Sequence, residues 1–296
     1  MDRVIFGDNQ FYGINHMSEE KARALSERFA DFRDVTAVLD VAYDCGVRGF
    51  MLNSNEWAKD IVDYMRSSKD RYDDVRLYPY IPYPHKYANA VAEKGIITTL
   101  IDVVLSDNSA KGAIGMIAKG GQTLIGRDVM KLMELLVDVE MKIFRGMDVE
   151  VVFLQNIVTD LLLGLGFVDV LAAFSAYIEE KYGAKGGFMT MNLPYCVEQL
   201  ATGGVERPVV CAAINRSGYL MNPDVAEYEE TLKQGGFRAV AMSIFASGGI
   251  RPKDAIDYVC TQENMAAVVF GASSRSHIEE TMGLIERTFN GAVERT

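Results

Sequence analysis

Short apolar runs alternate with helix-length amphipathic segments along this chain, and that rhythm restricts the fold more than any other feature. The strand-like runs are Val4–Phe6, Gly49–Leu52, Arg76–Pro82, Val149–Leu154, Gly187–Met191, Pro208–Ile214, Phe237–Ile244 and Ala266–Phe270. Helical spacing starts near Ser18 and recurs at Thr36–Cys45, Glu56–Met65, Val168–Tyr182, Cys196–Ala201, Val225–Gln234, Pro252–Cys260 and Ser276–Phe289. In Thr36–Cys45 the residues Val38, Leu39, Val41 and Ala42 share a face, and Gly46 is placed to end the helix. Several strand runs are almost wholly apolar, as parallel strands covered on both faces require. Eight strands, each followed by helix, predict an α/β fold of the (β/α)8 TIM-barrel type. A doubly wound open sheet is the alternative, but no GxGxxG follows the first strand.

One region breaks the rhythm. Lys86–Met147 has helical patterning, strongest over Val129–Phe144, with glycines at 112, 115, 120 and 121. It reads as a helical insertion between strands three and four, with a lid as one role. The 296 residues then suit a single barrel domain, 1–296, with the excess length in that insertion.

Charge and cysteine usage exclude several classes. Thirty Lys plus Arg against 41 Asp plus Glu give a net charge of −11, and no cationic block is present, which argues against a nucleic-acid partner. The apolar runs fall far short of the ~18 residues that span a bilayer, so no membrane partner is expected. The N-terminal segment lacks an apolar signal core. Cys45, Cys196, Cys211 and Cys260 are scattered without a CxxC pair, which suits reduced thiols, a cytoplasmic location and no metal site. His16, His85 and His277 also lack metal-ligand spacing. The apolar insertion is compatible with a homo-oligomer.

In a barrel of this kind ligands meet the C-terminal strand ends. Those ends carry Asp8, Asn9, Gln10, Tyr12 and His16; Asn53, Asn55, Glu56 and Trp57; Tyr80, Tyr83 and His85; then Gln155, Asn192, Asn215 and Arg216. Amides dominate, and amides orient oxygens without titrating. Asn53, Gln155, Asn192 and Asn215, with Trp57 as an apolar wall, form the candidate substrate-binding set. The alternative for each amide is a helix cap or a turn. Glu56 and His16 are the candidate proton carriers, Tyr80 is a third candidate catalytic group, and Asp8 is a further carboxylate at the strand-one end with a turn role as its alternative. The last two loops hold Ser243, Ser247, Gly248 and Gly249, then Gly271, Ser273, Ser274 and Arg275. Glycines, a capping serine, a helix N-terminus and an arginine together suit a phosphate, either of a substrate or of a cofactor.

The segment Ala241-Met242-Ser243-Ile244-Phe245-Ala246-Ser247-Gly248 resembles the strand-seven region of the aldo/keto reductases. Val268 to Ser274 followed by His277 to Glu280 resembles that family's C-terminal region, which holds the nicotinamide cofactor's phosphates. Phe6 to Gly13 and Ala42 to Phe50 are similar to its first strand and first helix. Met191-Asn192 resembles its Ser-Asn pair, with methionine for serine. The resemblance implies a barrel, but it places none of the family's catalytic tetrad. The aspartate position falls at Leu52 or Asn53, the tyrosine at Trp57 or Ala58 and the histidine at Gln155. Strand three offers no lysine, and the family's later glutamine position falls at Cys211.

Two functional readings follow. The first is an enzyme acting on a small phosphate-bearing, polyoxygenated or carbonyl compound by non-redox proton transfer, as a lyase, an aldolase-like enzyme or an isomerase, with no cofactor required. The second is a divergent NADP(H)-dependent oxidoreductase that uses the same anion loops for its cofactor, with Tyr80 or Tyr83 as proton donor. A ligand-binding protein without catalysis is a third.

Overall fold

A computed structural model describes residues 1–13, 18–83 and 126–293. Their parallel strand segments are β1 Val4–Gly7, β2 Gly49–Asn53, β3 Arg76–Ile81, β4 Asp148–Val149, β5 Val151–Leu154, β6 Lys185–Thr190, β7 Val209–Ala213, β8 Arg238–Met242 and β9 Met265–Phe270. Each pairs with its neighbours in parallel, β9 returns to β1, and β2 joins β3, so the sheet closes. β4 and β5 both pair with β3 on either side of Glu150, so they act as one interrupted stave and the barrel has eight. This is the (β/α)8 barrel that the rhythm predicts.

Alternation with a period of two sorts the strand side chains into two cores. Ile5, Met51, Tyr78, Val151, Phe153, Met189, Val209, Cys211, Val240, Ala267 and Val269 fill the barrel interior. The residues between them, such as Phe6, Phe50, Leu77, Val152, Phe188, Val210 and Val268, pack outward against the helices. Gly187 makes room for the interior filling. A Cβ there would lie 2.6 Å from the Phe153 ring, so the phenyl group occupies the space a side chain on β6 would need.

The helices start and stop where local chemistry directs. Phe32–Asp44 begins four residues earlier than its apolar face suggests, because Asp31 caps it by accepting a hydrogen bond from the Arg33 backbone N–H at 2.9 Å. A helix over Asn156–Gly164, absent from the sequence rhythm, precedes Val168–Tyr182. Its Ile157 and Leu161 are solvent-exposed, so its apolar pattern does not mark a buried face. Of the insertion expected over Lys86–Met147, residues 86–125 lie outside the described residues. The remainder holds a helix over Gly126–Met141 whose Val137 and Met141 join the outer core, with Leu132 and Leu136 also buried. Among the described residues no helix is long and apolar enough to cross a membrane.

Candidate active site

β1 ends at Gly7, and the next residue turns into a single 3-10 turn over Asn9–Tyr12, closed by the Phe11 N–H donating to the Asp8 carbonyl at 2.9 Å. That turn leaves the Asp8 side chain inside the barrel mouth, 2% exposed. On the next stave, period-two alternation carries the interior face from Met51 to Asn53. On the stave after that it runs from Tyr78 to Tyr80, and the β2–β3 register sets Asn53 opposite Tyr80. Leu52 faces the outer core instead.

These three side chains bond to one another. The Asn53 backbone N–H donates to Asp8 Oδ2 at 2.8 Å, and its Nδ2 donates to the same oxygen at 3.0 Å. Nδ2 also reaches Tyr80 Oη at 3.3 Å. Tyr80 Oη donates to Asp8 Oδ1 at 2.9 Å. Asn53 Oδ1 is used locally, accepting from the Asn55 N–H at 2.8 Å. Asn55 caps the helix Glu56–Ser67 through Ala58 N–H at 2.8 Å and accepts from Tyr12 Oη at 3.3 Å.

The electrostatics follow from burial, with no cation acting on Asp8 among the described residues. Burial pushes the Asp8 carboxyl from 3.8 up to about 6, and the hydrogen bonds from Asn53 and Tyr80 only partly oppose it. Burial first, and the Asp8 charge second, push the Tyr80 phenol well above its ordinary value. The same two causes raise Tyr12. The mouth therefore holds a carboxyl that titrates near the physiological range, bonded directly to a phenol.

The other candidate residues have varied fates. Gln155 caps the helix Asn156–Gly164 by accepting from Ile157 N–H at 2.9 Å. Asn192 caps Leu193–Thr202 through Tyr195 N–H at 3.2 Å. Its own backbone N–H donates to Thr190 Oγ1 at 2.9 Å, and Thr190 in turn donates to Asp160 at 2.5 Å. Asn215 is buried and organises the turn after β7, with Oδ1 accepting from Ser217 and from Tyr219 N–H at 2.9 Å, and Nδ2 donating to the Tyr219 carbonyl at 2.8 Å. Trp57 packs edge-on against Tyr12 and Phe32 at centroid distances of 6.3 and 6.1 Å. Glu56 opens the first turn of its helix, and its side chain lies outside the described residues, as does His16. Tyr83, past the end of β3, is raised mainly by burial and then by the Asp8 charge.

The last two loops gather at one side of the mouth. Ser243, Ala246 and Ser247 adopt left-handed backbone, with φ of 54°, 45° and 54°, which costs about 1–2 kcal/mol for each such residue. Ser247 Oγ donates to Tyr219 Oη at 3.3 Å, and Asn215 Nδ2 donates to the Ser243 carbonyl at 3.4 Å. Ser274 caps the final helix, Arg275–Val293, accepting from His277 N–H at 3.4 Å. Arg28 donates to the Ser273 carbonyl. Arg275 lies 3.6 Å from Asp44 and 3.3 Å from Glu279 and is half exposed. A hollow of about 320 Å³ is lined by Arg28, Ser273, Ser274, Arg275 and the face of Phe32–Asp44. Two guanidiniums and a capped helix N-terminus face this hollow, and the Asp34 carboxylate shares its lining. Gly271 approaches Gln10 so closely that a Cβ would meet Gln10 Oε1 at 2.3 Å, so this loop lies against the β1 turn that carries Asp8.

Sequence reasoning placed Asn53 and Tyr80 in the mouth but left Asp8 and Tyr12 out of the chosen site. The available signal was position, since Asp8 follows the last residue of β1 directly. What was missing was a partner, because nothing local in the sequence says that a residue 72 positions later bonds to it.

The fold is shared with solved structures. A Pseudomonas aeruginosa protein assigned to the aldo-keto reductases superposes with a TM-score of 0.62 at 12% identity, covering 97% of this chain and 90% of that one. An aldo-keto reductase enzyme from a deep-sea metagenome gives a TM-score of 0.55 at 11% identity, covering 98% and 92%. A Bombyx mori aldo-keto reductase in complex with NADP gives 0.54 at 8% identity, covering 98% and 89%. No family model matches the sequence, and no curated protein matches it. The chain thus has the barrel of the aldo/keto reductases. The neighbours correct one expectation from sequence: the lyase, aldolase-like or isomerase reading without a cofactor. The solved structures compared above bear aldo-keto reductase names, one of them in complex with NADP, and they favour the oxidoreductase alternative over that reading.

Proposed function

We propose that this chain is an NADP(H)-dependent oxidoreductase that reduces a carbonyl compound, with Tyr80 as the proton donor. The observation that carries the reading is the Tyr80 hydroxyl in the mouth of a reductase-type barrel, held by Asp8 and Asn53 at 2.9 and 3.3 Å. The chemistry that a nicotinamide dinucleotide would supply, were it bound here, is hydride donation to the carbonyl carbon. Ser273, Ser274, Arg275 and Arg28 would hold its phosphates, with Ser243, Ser247, Gly248 and Gly249 beside them. Arg275 is engaged in exposed ion pairs, worth less than about 1 kcal/mol, and in a long contact to Cys45 Sγ at 3.9 Å, so its guanidinium can turn to a phosphate.

The chain's own residues then have defined tasks. Tyr80 hydrogen-bonds the carbonyl oxygen and hands it a proton as negative charge develops there. Asn53 fixes the Tyr80 oxygen from one side and Asp8 fixes it from the other. Trp57 and Tyr12 build the apolar rim nearby, where they reduce water contact. A positioned acid of this kind contributes about 10²–10⁴-fold to a rate.

Titration with NADPH, followed by cofactor fluorescence and by thermal shift, tests the reading. Saturable binding at micromolar concentration, weakened by Arg275→Ala, is the expected outcome. No saturable binding of NADPH or NADH would overturn it.

A further inference from the structure

Asp8 is engaged asymmetrically. Both donors from Asn53, the backbone N–H at 2.8 Å and Nδ2 at 3.0 Å, converge on Oδ2. Oδ1 faces the Tyr80 hydroxyl at 2.9 Å. An oxygen that already accepts two N–H groups is a poor place for a proton, so a proton on Asp8 belongs on Oδ1. There it points at Tyr80 Oη. In the ionised state the arrangement is reversed, and the Tyr80 O–H is spent on the carboxylate. Protonating Asp8 thus reverses the direction of one hydrogen bond. It frees the Tyr80 proton towards the mouth, where Asn9 Oδ1, at 3.4 Å, is the next acceptor.

We propose that Asp8 and Tyr80 form one proton-delivering unit, in which Asp8 hands the proton on Oδ1 to Tyr80 Oη as Tyr80 hands its own to the substrate oxygen. The proposal rests on the carbonyl-reductase reading above. The step balances. The Asp8 O–H bond breaks and a Tyr80 O–H bond forms, while the original Tyr80 O–H bond breaks and the substrate O–H bond forms. The nicotinamide is the reductant, the carbonyl carbon is reduced, and Asp8 is left as a carboxylate that solvent reprotonates. No phenolate needs to persist, because Asn53 Nδ2 and the Asp8 O–H both donate to Tyr80 Oη during the transfer. This answers a problem set by the electrostatics: a tyrosine beside an ionised carboxylate is a weak acid, since losing its proton would place two anions in contact. Asp8 acts through Tyr80, and Asn53 positions both.

The titratable side chains that face Asp8 among the described residues are Tyr80 on β3, Tyr12 on the turn after β1, and Tyr83 beyond β3. All are phenols raised by burial, so none competes with Asp8 near neutral pH. A carboxyl that titrates at about 6 keeps a usable protonated fraction under mild conditions.

The test combines a spectroscopic and a kinetic reading on the full chain. Carbon-13 NMR of protein labelled at the aspartate carboxyls, assigned with Asp8→Asn, reads the Asp8 titration directly. In the parent it is expected near pH 6, with a change in midpoint in Tyr80→Phe. With 4-nitrobenzaldehyde and NADPH as probes, kcat/KM is expected to fall about tenfold for each pH unit above that midpoint. In Asp8→Asn that inflection should vanish, with a loss of roughly 100-fold at pH 5.5 and only a few-fold at pH 8. An Asp8 carboxyl titrating near 4, or an inflection that survives in Asp8→Asn, overturns the proposal. If the coupled titration is present but NADPH binds without turnover of any carbonyl probe, the proton pair is supported and the redox reading fails.

Discussion

The two ends of the barrel carry nearly the same pair of residues. At the N-terminal end Asp2, just before β1, accepts from the hydroxyl of Tyr78 on β3 at 2.6 Å. At the C-terminal end Asp8, just after β1, accepts from the hydroxyl of Tyr80 on the same strand at 2.9 Å. The third member differs. At the first end Arg76 donates to Asp2 Oδ1 at 2.6 Å. At the second the neutral amide of Asn53 takes that place. A guanidinium cancels the charge it touches, so the Asp2 end is a closed plug with Tyr78 fully buried. An amide orients a carboxylate without neutralising it, so the Asp8 end retains an ionisation free to respond to pH and to a ligand. Among the described residues, a guanidinium contacts the carboxylate at the first end and an amide contacts it at the second.

The largest expected effect compares the two tyrosines. Tyr80→Phe should lower kcat for NADPH-dependent carbonyl reduction by about 10²–10⁴-fold, while Tyr78→Phe leaves kcat within a few-fold and lowers thermal stability. Equal kinetic losses in the two variants would erase the functional contrast between the ends.

Next comes the dependence of stability on pH. The Asp8 carboxyl titrates at about 6 in the folded chain, against 3.8 for the ordinary group. The native state therefore holds this proton more tightly, and stability is lost as pH rises through that window. The cost is on the order of 3 kcal/mol once Asp8 is ionised. Asp8→Asn should accordingly be more stable than the parent at pH 8, with the gain gone at pH 4. Asp2→Asn should be less stable than the parent at pH 8, because it deprives Arg76 of its ion-pair partner. Urea denaturation at the two pH values reads both variants, and a stabilised Asp2→Asn would show that the guanidinium is not what separates the ends.

The smallest effect concerns the layer between the ends. Gly187→Ala drives a methyl group into the Phe153 ring, and overpacking of this kind costs about 1–3 kcal/mol. A variant of unchanged stability would mean that the interior layer is loose enough for the two ends to communicate.

Much of the fold was legible because it is local. A strand repeats every two residues and a helix about every 3.6, and both periods can be read within ten residues. The barrel, its staves and the mouth positions of Asn53 and Tyr80 follow from that. The amides show where local reading runs out. Gln155, Asn192 and Asn215 all lie at strand ends, yet each side chain is drawn into a cap or a turn by backbone N–H groups within four residues. Residue type alone cannot separate an amide that serves its own helix from one that faces the interior. The extra helix Asn156–Gly164 escaped for a similar reason, because its apolar residues point partly to solvent.

By itself, the sequence determined which residues alternate inward and which strand ends gather at one face, since both depend on neighbours along the chain. Only the tertiary structure decided that Tyr78 and Tyr80, two residues apart on one strand, serve opposite ends, and that Tyr80 meets Asp8 while Arg76 stays with Asp2. Those outcomes depend on the closure of the sheet and on the register that sets Asn53 opposite Tyr80. Closure brings together residues more than seventy positions apart, and no periodicity in the sequence spans that distance.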